Sequence, residues 1–230
     1  MNFSVIFENL PQLLDGVGVT LELVGVSLLI GACIALPMAL MRVSRNPALK
    51  TFAYGYIFFF RGTPLLVQIF LIYYGASQFP SVRDSFLWPI LREAYWCAII
   101  AFALNTGAYT AEILRGAIQA VPAGQIEAAR AIGMTRAKMY RRIILPQAFR
   151  IGLPAYGNEI ILMLKGSALA STITLLDLTG MARTIIARTY MPVELFFAAG
   201  VIYFILTAIL TQVLKRVERR VNRHMTTANT

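Results

Sequence analysis

The sequence predicts an all-α polytopic membrane protein, and three observations carry that expectation. Of its 230 residues, 58% are hydrophobic and 14% charged, whereas soluble domains carry about 25% charge. The mean hydropathy is +0.66. Long stretches free of Asp, Glu, Lys and Arg recur along the chain, and they are apolar all round, without the polar face of a helix on a soluble core. The same numbers exclude a disordered chain, a disulfide scaffold and a solvated nucleic-acid binder. A net charge of +10, from 21 Lys plus Arg against 11 Asp plus Glu, fits either a phosphate-binding surface or the basic loops of a membrane protein, and the placement of the charges decides between them.

A bilayer core about 30 Å thick takes about 20 helical residues at 1.5 Å each. Five segments meet that length. The first covers about 17–41, with Glu22 near its outer end as its only ionised side chain. The second, about 52–78, opens on the aromatic run 52–60 and holds Arg61 in its earlier half. The third, 94–114, is uncharged up to Glu112. The fourth, 151–176, contains Glu159 and Lys165 and is expected to be broken, while the fifth, 195–214, has no Asp, Glu, Lys, Arg or His. The chain reads as one transmembrane domain over 1–230, with a loop at 115–150, a basic tail at 215–230 expected to be disordered at 226–230, and no internal repeat.

Basic residues resist translocation, so loops rich in them stay cytoplasmic. Fifteen of the Lys and Arg fall in the loops after the first and third segments and in the tail, whereas only Arg83, Arg92, Arg183 and Arg188 fall on the other side. The amino terminus is therefore expected outside and the carboxyl terminus inside. Residues 1–16 have no Lys or Arg to open a secretory signal, so the first segment is expected to be a permanent helix.

The loop 115–150 is too patterned to be a plain connection. Val121-Pro122-Ala123-Gly124 makes a turn, and a helix from Gln125 places Ile126, Ala129 and Ile132 on one face. Gly133 offers the left-handed conformation that ends a helix, and Thr135 is positioned to cap a second, basic helix reaching about Leu145 before Pro146. Ala128, Ala129 and Ala131 let another surface approach the backbone closely, and Glu127 supplies a charge that can fix register.

Glu127-Ala128-Ala129, Gly133, Ile143 and Leu145-Pro146 resemble the E-A-A, G, I-x-L-P loop of permease subunits of bacterial binding-protein-dependent ABC importers, with the family's intervals kept. Residues 61–68 (Arg-Gly-Thr-Pro-Leu-Leu-Val-Gln), residues 105–112 (Asn-Thr-Gly-Ala-Tyr-Thr-Ala-Glu) and Asn158-Glu159 resemble the polar amino-acid branch of histidine, arginine/ornithine and opine permeases. The resemblance implies a type I ABC importer permease fold in the bacterial inner membrane: five transmembrane helices with a cytoplasmic coupling helix between spans three and four. It also implies that Glu127, Ala128, Ala129 and Gly133 dock on a separate P-loop ATPase dimer holding ATP and Mg. A second permease subunit, identical or homologous, and a periplasmic solute-binding protein complete the implied assembly. A basic amphipathic helix resting on lipid headgroups is the competing reading of the loop.

Charges within spans need partners or a water-filled cavity. Arg61 reads as architecture, paired with a carboxylate on a neighbouring helix such as Glu112. Glu159 and Lys165 are six residues apart, about 120° around a helix, and so do not pair with each other. The small polar patch beyond them, Gly166-Ser167-Ala168 and Ser171-Thr172, is expected to open the helix at mid-membrane. Glu159 would receive a cationic group of an amino acid, and Lys165 or the amides near Gly166 and Ser167 its carboxylate, with Tyr73 and Tyr74 lining the cavity. Helix packing through small residues explains the patch equally well, and an aromatic interface belt explains the tyrosines. Relatives often have a polar or acidic residue after the lysine; Gly166 here suggests a roomier, less acidic pocket, suited to an opine or histidine.

The chain has no G-x-x-x-x-G-K-[ST] phosphate loop, and its one histidine, His224, lies in the tail away from any metal-ligand cluster. The sequence therefore predicts no cofactor, metal or catalytic residue on this chain, no nucleic-acid partner, and energy supplied by another polypeptide. The rival functions are a proton-coupled secondary amino-acid carrier titrating Glu22, Glu112 and Glu159, and a structural or channel subunit.

Overall fold

The computed structural model describes residues 3–222. Within them the chain is helical, with no strand. His224 and the tail segment 226–230 lie outside the described residues.

α1 (Ser4–Arg42) is a helix of 39 residues, about 58 Å long at 1.5 Å per residue, so it starts well before the apolar segment recognised in the sequence. α2 (Pro47–Gly62) begins on an Asn46 cap, whose Oδ1 accepts from the Ala48 amide at 2.9 Å. Pro64 then stops it. The following helix, α3 (Leu65–Phe70), passes through a π turn, Leu71–Gly75, and the two halves meet at 104°. Two single turns, α4 (Pro80–Arg83) and α5 (Trp88–Leu91), lead into α6 (Ala94–Gln119).

The loop 115–150 contains α7 (Ala123–Ala131) and the short α8 (Arg136–Met139). The basic helix expected to end near Leu145 does not end. It widens into a π turn, Tyr140–Ile144, and continues as α9 (Leu145–Gly166). Proline clashes with the carbonyl four residues back and lacks an N–H. Pro146 stands in the first turn after the π turn, where widened hydrogen bonding absorbs both defects. A 3-10 turn, Ser167–Ile173, then leads to α10 (Leu178–Thr189) at a bend of 45°, and α11 (Pro192–Val221) follows.

α1, α6 and α11 are long and apolar enough to cross a membrane, and the two bent pairs pass the same test when joined. α6 is the inner helix: 67% of its most apolar window is buried, against 17% for α11. The core forms three layers along α1. Val5 and Leu13 pack with Leu178, Ile185 and Leu195 at one end; Leu23 and Val24 with Phe102, Met163 and Leu164 in the middle; Ala35 and Ala39 with Leu114, Ala129, Met139 and Ile144 at the other end. α1 and α6 approach closely because both carry glycine at the crossing. A Cβ on Gly31 would lie 2.4 Å from Thr106 Cγ2, and one on Gly107 would lie 3.3 Å from Gly31 O. Close backbone contact of this kind is how helices associate where water gives no hydrophobic drive.

Candidate functional site

α7 is fastened by one side and open on the other. Ala129 is buried among Met139, Ile144 and Ala148, whereas Glu127 and Ala128 are exposed. Gly133 takes φ +74°, and its amide bonds to Arg130 O at 2.9 Å while the Met134 amide bonds to Ala129 O at 3.0 Å. Those bonds satisfy carbonyls left free at the helix end. Thr135 caps α8 through the Lys138 amide at 3.4 Å. Ile132 departs from the face it is expected to share with Ile126 and Ala129 and is 73% exposed, because it lies past the last helical residue, where the chain already turns toward Gly133. The exposed surface of this element includes Glu127, Ala128, Arg130 and Ile132: two opposite charges, a gap and an apolar contact.

Glu159 lies on α9 with 6% exposure, within the electrostatic reach of Arg61. Thr106 Oγ1 donates to its Oε1 at 2.9 Å, using one of the roughly four acceptor positions of a carboxylate. Thr106 is pinned on its other side, since its methyl packs against Gly31. Its neighbours make inter-helix contacts too. Asn105 Nδ2 donates to Gln68 Oε1 at 3.0 Å and to Phe60 O at 3.2 Å, and Gln68 Nε2 donates to Phe60 O, Thr63 O and Thr63 Oγ1 at 2.8–3.1 Å. These bonds satisfy the Phe60 carbonyl left without a partner by Pro64 and the Thr63 carbonyl at the break.

Several expectations are corrected. Arg61 does not pair with Glu112. The Glu112 carboxylate takes Arg115 Nε at 2.8 Å, three residues along the same helix, whereas the Arg61 guanidinium stands 5.1 Å from the Tyr109 ring centroid. The break at Pro64 puts Arg61 in the last turn of α2, where a cation is stabilised by the helix dipole and needs no carboxylate. Nor does the segment at Gly166 to Ala168 open. It tightens into the 3-10 turn, with Ser167, Ser171 and Thr172 donating to the carbonyls three residues back at 2.6–2.8 Å. The space beside Gly166 is bounded by Leu65, whose Cδ2 would be 3.4 Å from an added Cβ.

Lys165 is exposed while Glu159 is buried, and among the described residues no hydrogen bond or ion pair joins Glu159 to Lys165, Tyr73 or Tyr74. Tyr73 packs on the middle core layer and stacks edge-on with half-exposed Tyr74 at 4.8 Å. Glu22 accepts from Tyr95 at 2.6 Å. Sequence reasoning missed Thr106, Asn105 and Gln68 as contacts, although polar residues inside apolar segments signal them. It also missed Asp177, buried at the start of α10, where it accepts from the Thr179 and Gly180 amides at 3.3 and 3.1 Å.

The chain resembles known proteins over almost its full length. It is 56% identical over 206 residues to the octopine transport system permease protein of Rhizobium radiobacter, covering 90% of this chain and 84% of that one. It is 48% identical over 193 residues to the histidine/lysine/arginine/ornithine transport system permease protein of Escherichia coli K12, covering 84% and 81%. A crystal structure of an amino acid ABC transporter with histidines contains a chain 40% identical, with a TM-score of 0.86, covering 96% of this chain and 99% of that one. An inward-facing methionine ABC transporter shares the fold at 21% identity and a TM-score of 0.78, covering 93% and 98%. The family model for the binding-protein-dependent transport system inner membrane component matches residues 28–223, and the chain belongs to that family.

Proposed function

We propose that this inner membrane component imports an opine or a cationic amino acid, with Glu159 as the carboxylate that meets the substrate's cation. The observation that carries this reading is the buried Glu159–Thr106 pair. A buried carboxylate that accepts from one hydroxyl has acceptor capacity to spare, and intramembrane ionisable groups mark substrate paths. Permeases for octopine and for histidine, lysine, arginine and ornithine are among its relatives at 56% and 48% identity, which supports that substrate class.

In this reading α1, α6 and α11 and the two bent pairs are the five spans, with the amino terminus periplasmic and the carboxyl terminus cytoplasmic. Exposed Glu127 and Ala128 on α7 form the coupling surface that docks on a P-loop ATPase dimer binding ATP and Mg. A second permease chain, identical or homologous, completes the translocation path, and a periplasmic solute-binding protein delivers the substrate. The test is uptake of labelled octopine, arginine and histidine by the reconstituted importer, with vanadate as inhibitor. Saturable, vanadate-sensitive uptake of one of them supports the proposal. Uptake abolished by a protonophore while ATP is intact would replace it with the proton-coupled carrier.

A further inference from the structure

α2 turns an aromatic face outward, with Phe52, Tyr54, Phe58 and Phe59 each at least half exposed. Beside that face lies a cavity of about 270 Å³ whose walls include Arg42, Tyr54, Phe58, Arg61 and Glu112. Arg42 closes α1 and its guanidinium stands 5.0 Å from the Tyr54 ring, while Arg61, in the last turn of α2, stands over Tyr109. Glu112 is engaged by Arg115. Two guanidiniums therefore share one cavity, and among the described residues neither forms an ion pair, the Glu112 carboxylate acting on both only from farther away. Arg42 Nε and Glu112 Oε2 are both buried without a hydrogen-bond partner. Orphaned buried groups of this kind point to a missing ligand.

The donor and acceptor left free define what fits: an anion for the guanidiniums, joined by a short link to a hydroxyl or ammonium for Glu112. We propose that the cavity binds the headgroup of a membrane phospholipid. Its phosphate lies on Arg42 and Arg61 and its ethanolamine ammonium or glycerol hydroxyl lies on Glu112 Oε2. The volume holds a phosphate and a short alcohol, so the acyl chains run outside it along Tyr54 and Phe58. Arginine suits such a site because its fork matches phosphate oxygens. An exposed aromatic surface at the end of an apolar helix is the place where a lipid meets its protein.

The assembled transporter, reconstituted with phosphatidylethanolamine, phosphatidylglycerol or phosphatidylcholine, is released into detergent and its retained lipid counted by native mass spectrometry. The first two are expected to stay, and phosphatidylcholine, which has no headgroup donor, to be retained several-fold less. Arg42→Ala and Arg61→Ala should each lower retention roughly fivefold, which corresponds to about 1 kcal/mol per basic side chain at a membrane surface. Equal retention of all three lipids, or no loss in either variant, overturns the proposal. So does displacement by water-soluble glycerophosphoethanolamine, which would mean a soluble anion site. Because the arginine variants risk misfolding, Phe58→Trp gives an independent reading. Its added fluorescence should be quenched more by brominated phosphatidylglycerol than by brominated phosphatidylcholine, and equal quenching counts against the site. A photo-crosslinker at position 58 that captures a second permease chain in place of lipid would reassign the cavity to a subunit contact.

Discussion

Glu127 and Glu159 bring the same carboxylate into opposite surroundings. Glu127 stands exposed on a short helix whose one buried residue, Ala129, fixes it to the layer built on α1, α6 and α9. Glu159 is held inside the bundle, against Thr106. The first can act only on something that arrives from outside the chain. The second can act only on something that enters it. In the proposed function one acidic group faces a motor and the other a cargo, and the elements between them would carry the motion.

The largest effect is expected at the exposed carboxylate. Glu127→Lys reverses a charge at the proposed docking surface without touching the core, so the protein should insert normally while ATP-driven uptake falls roughly a hundredfold, the scale of like-charge placement at an interface. Solute moved per ATP hydrolysed is the readout, and unchanged coupling would remove α7 from the mechanism. At the buried end, Glu159→Gln keeps the shape and removes the charge. Half-saturating substrate should rise at least tenfold, on the scale of about 1.5–3 kcal/mol for a hydrogen bond to a charged group, with coupling to ATP intact. A variant with unaltered affinity for opines and basic amino acids would make Glu159 architectural.

Between the two lies the α1–α6 crossing. Gly31→Ala drives a methyl into Thr106 Cγ2 at 2.4 Å and Ala103 O at 3.2 Å, a strain of about 1–3 kcal/mol. It should lower the Tm of the solubilised protein and weaken substrate binding with it, because Thr106 holds Glu159. Gly18→Ala, which meets nothing within 4 Å, is the matched control and should leave both unchanged. The smallest effect is expected at Gly133, whose φ of +74° costs an alanine about 1–2 kcal/mol. Gly133→Ala should loosen the end of α7 and reduce coupling several-fold while leaving substrate affinity alone.

The loop 115–150 was the most readable part of the chain, because its signals are local. Gly133 stops a helix and Thr135 caps the next through rules that operate within four residues, and both adopt those conformations. Its continuation past Pro146 was not readable, since a π turn has no sequence signature comparable to a cap. The all-helical fold followed from hydropathy alone. The pairing of Thr106 with Glu159 did not, because it depends on how α6 and α9 rotate against each other, and apolar segments without a polar face leave that rotation open. Arg61 shows the same limit. Its sequence neighbours placed it inside a span, and only the 104° bend reveals a helix end that accommodates a cation.

Solute accumulation in proteoliposomes containing this chain, with and without its ATPase subunits, separates a driven permease from a self-sufficient carrier. Accumulation is expected only when the ATPase and ATP are both present, and is lost again in Glu127→Lys. Accumulation by the permease alone, in vesicles free of nucleotide, would contradict it.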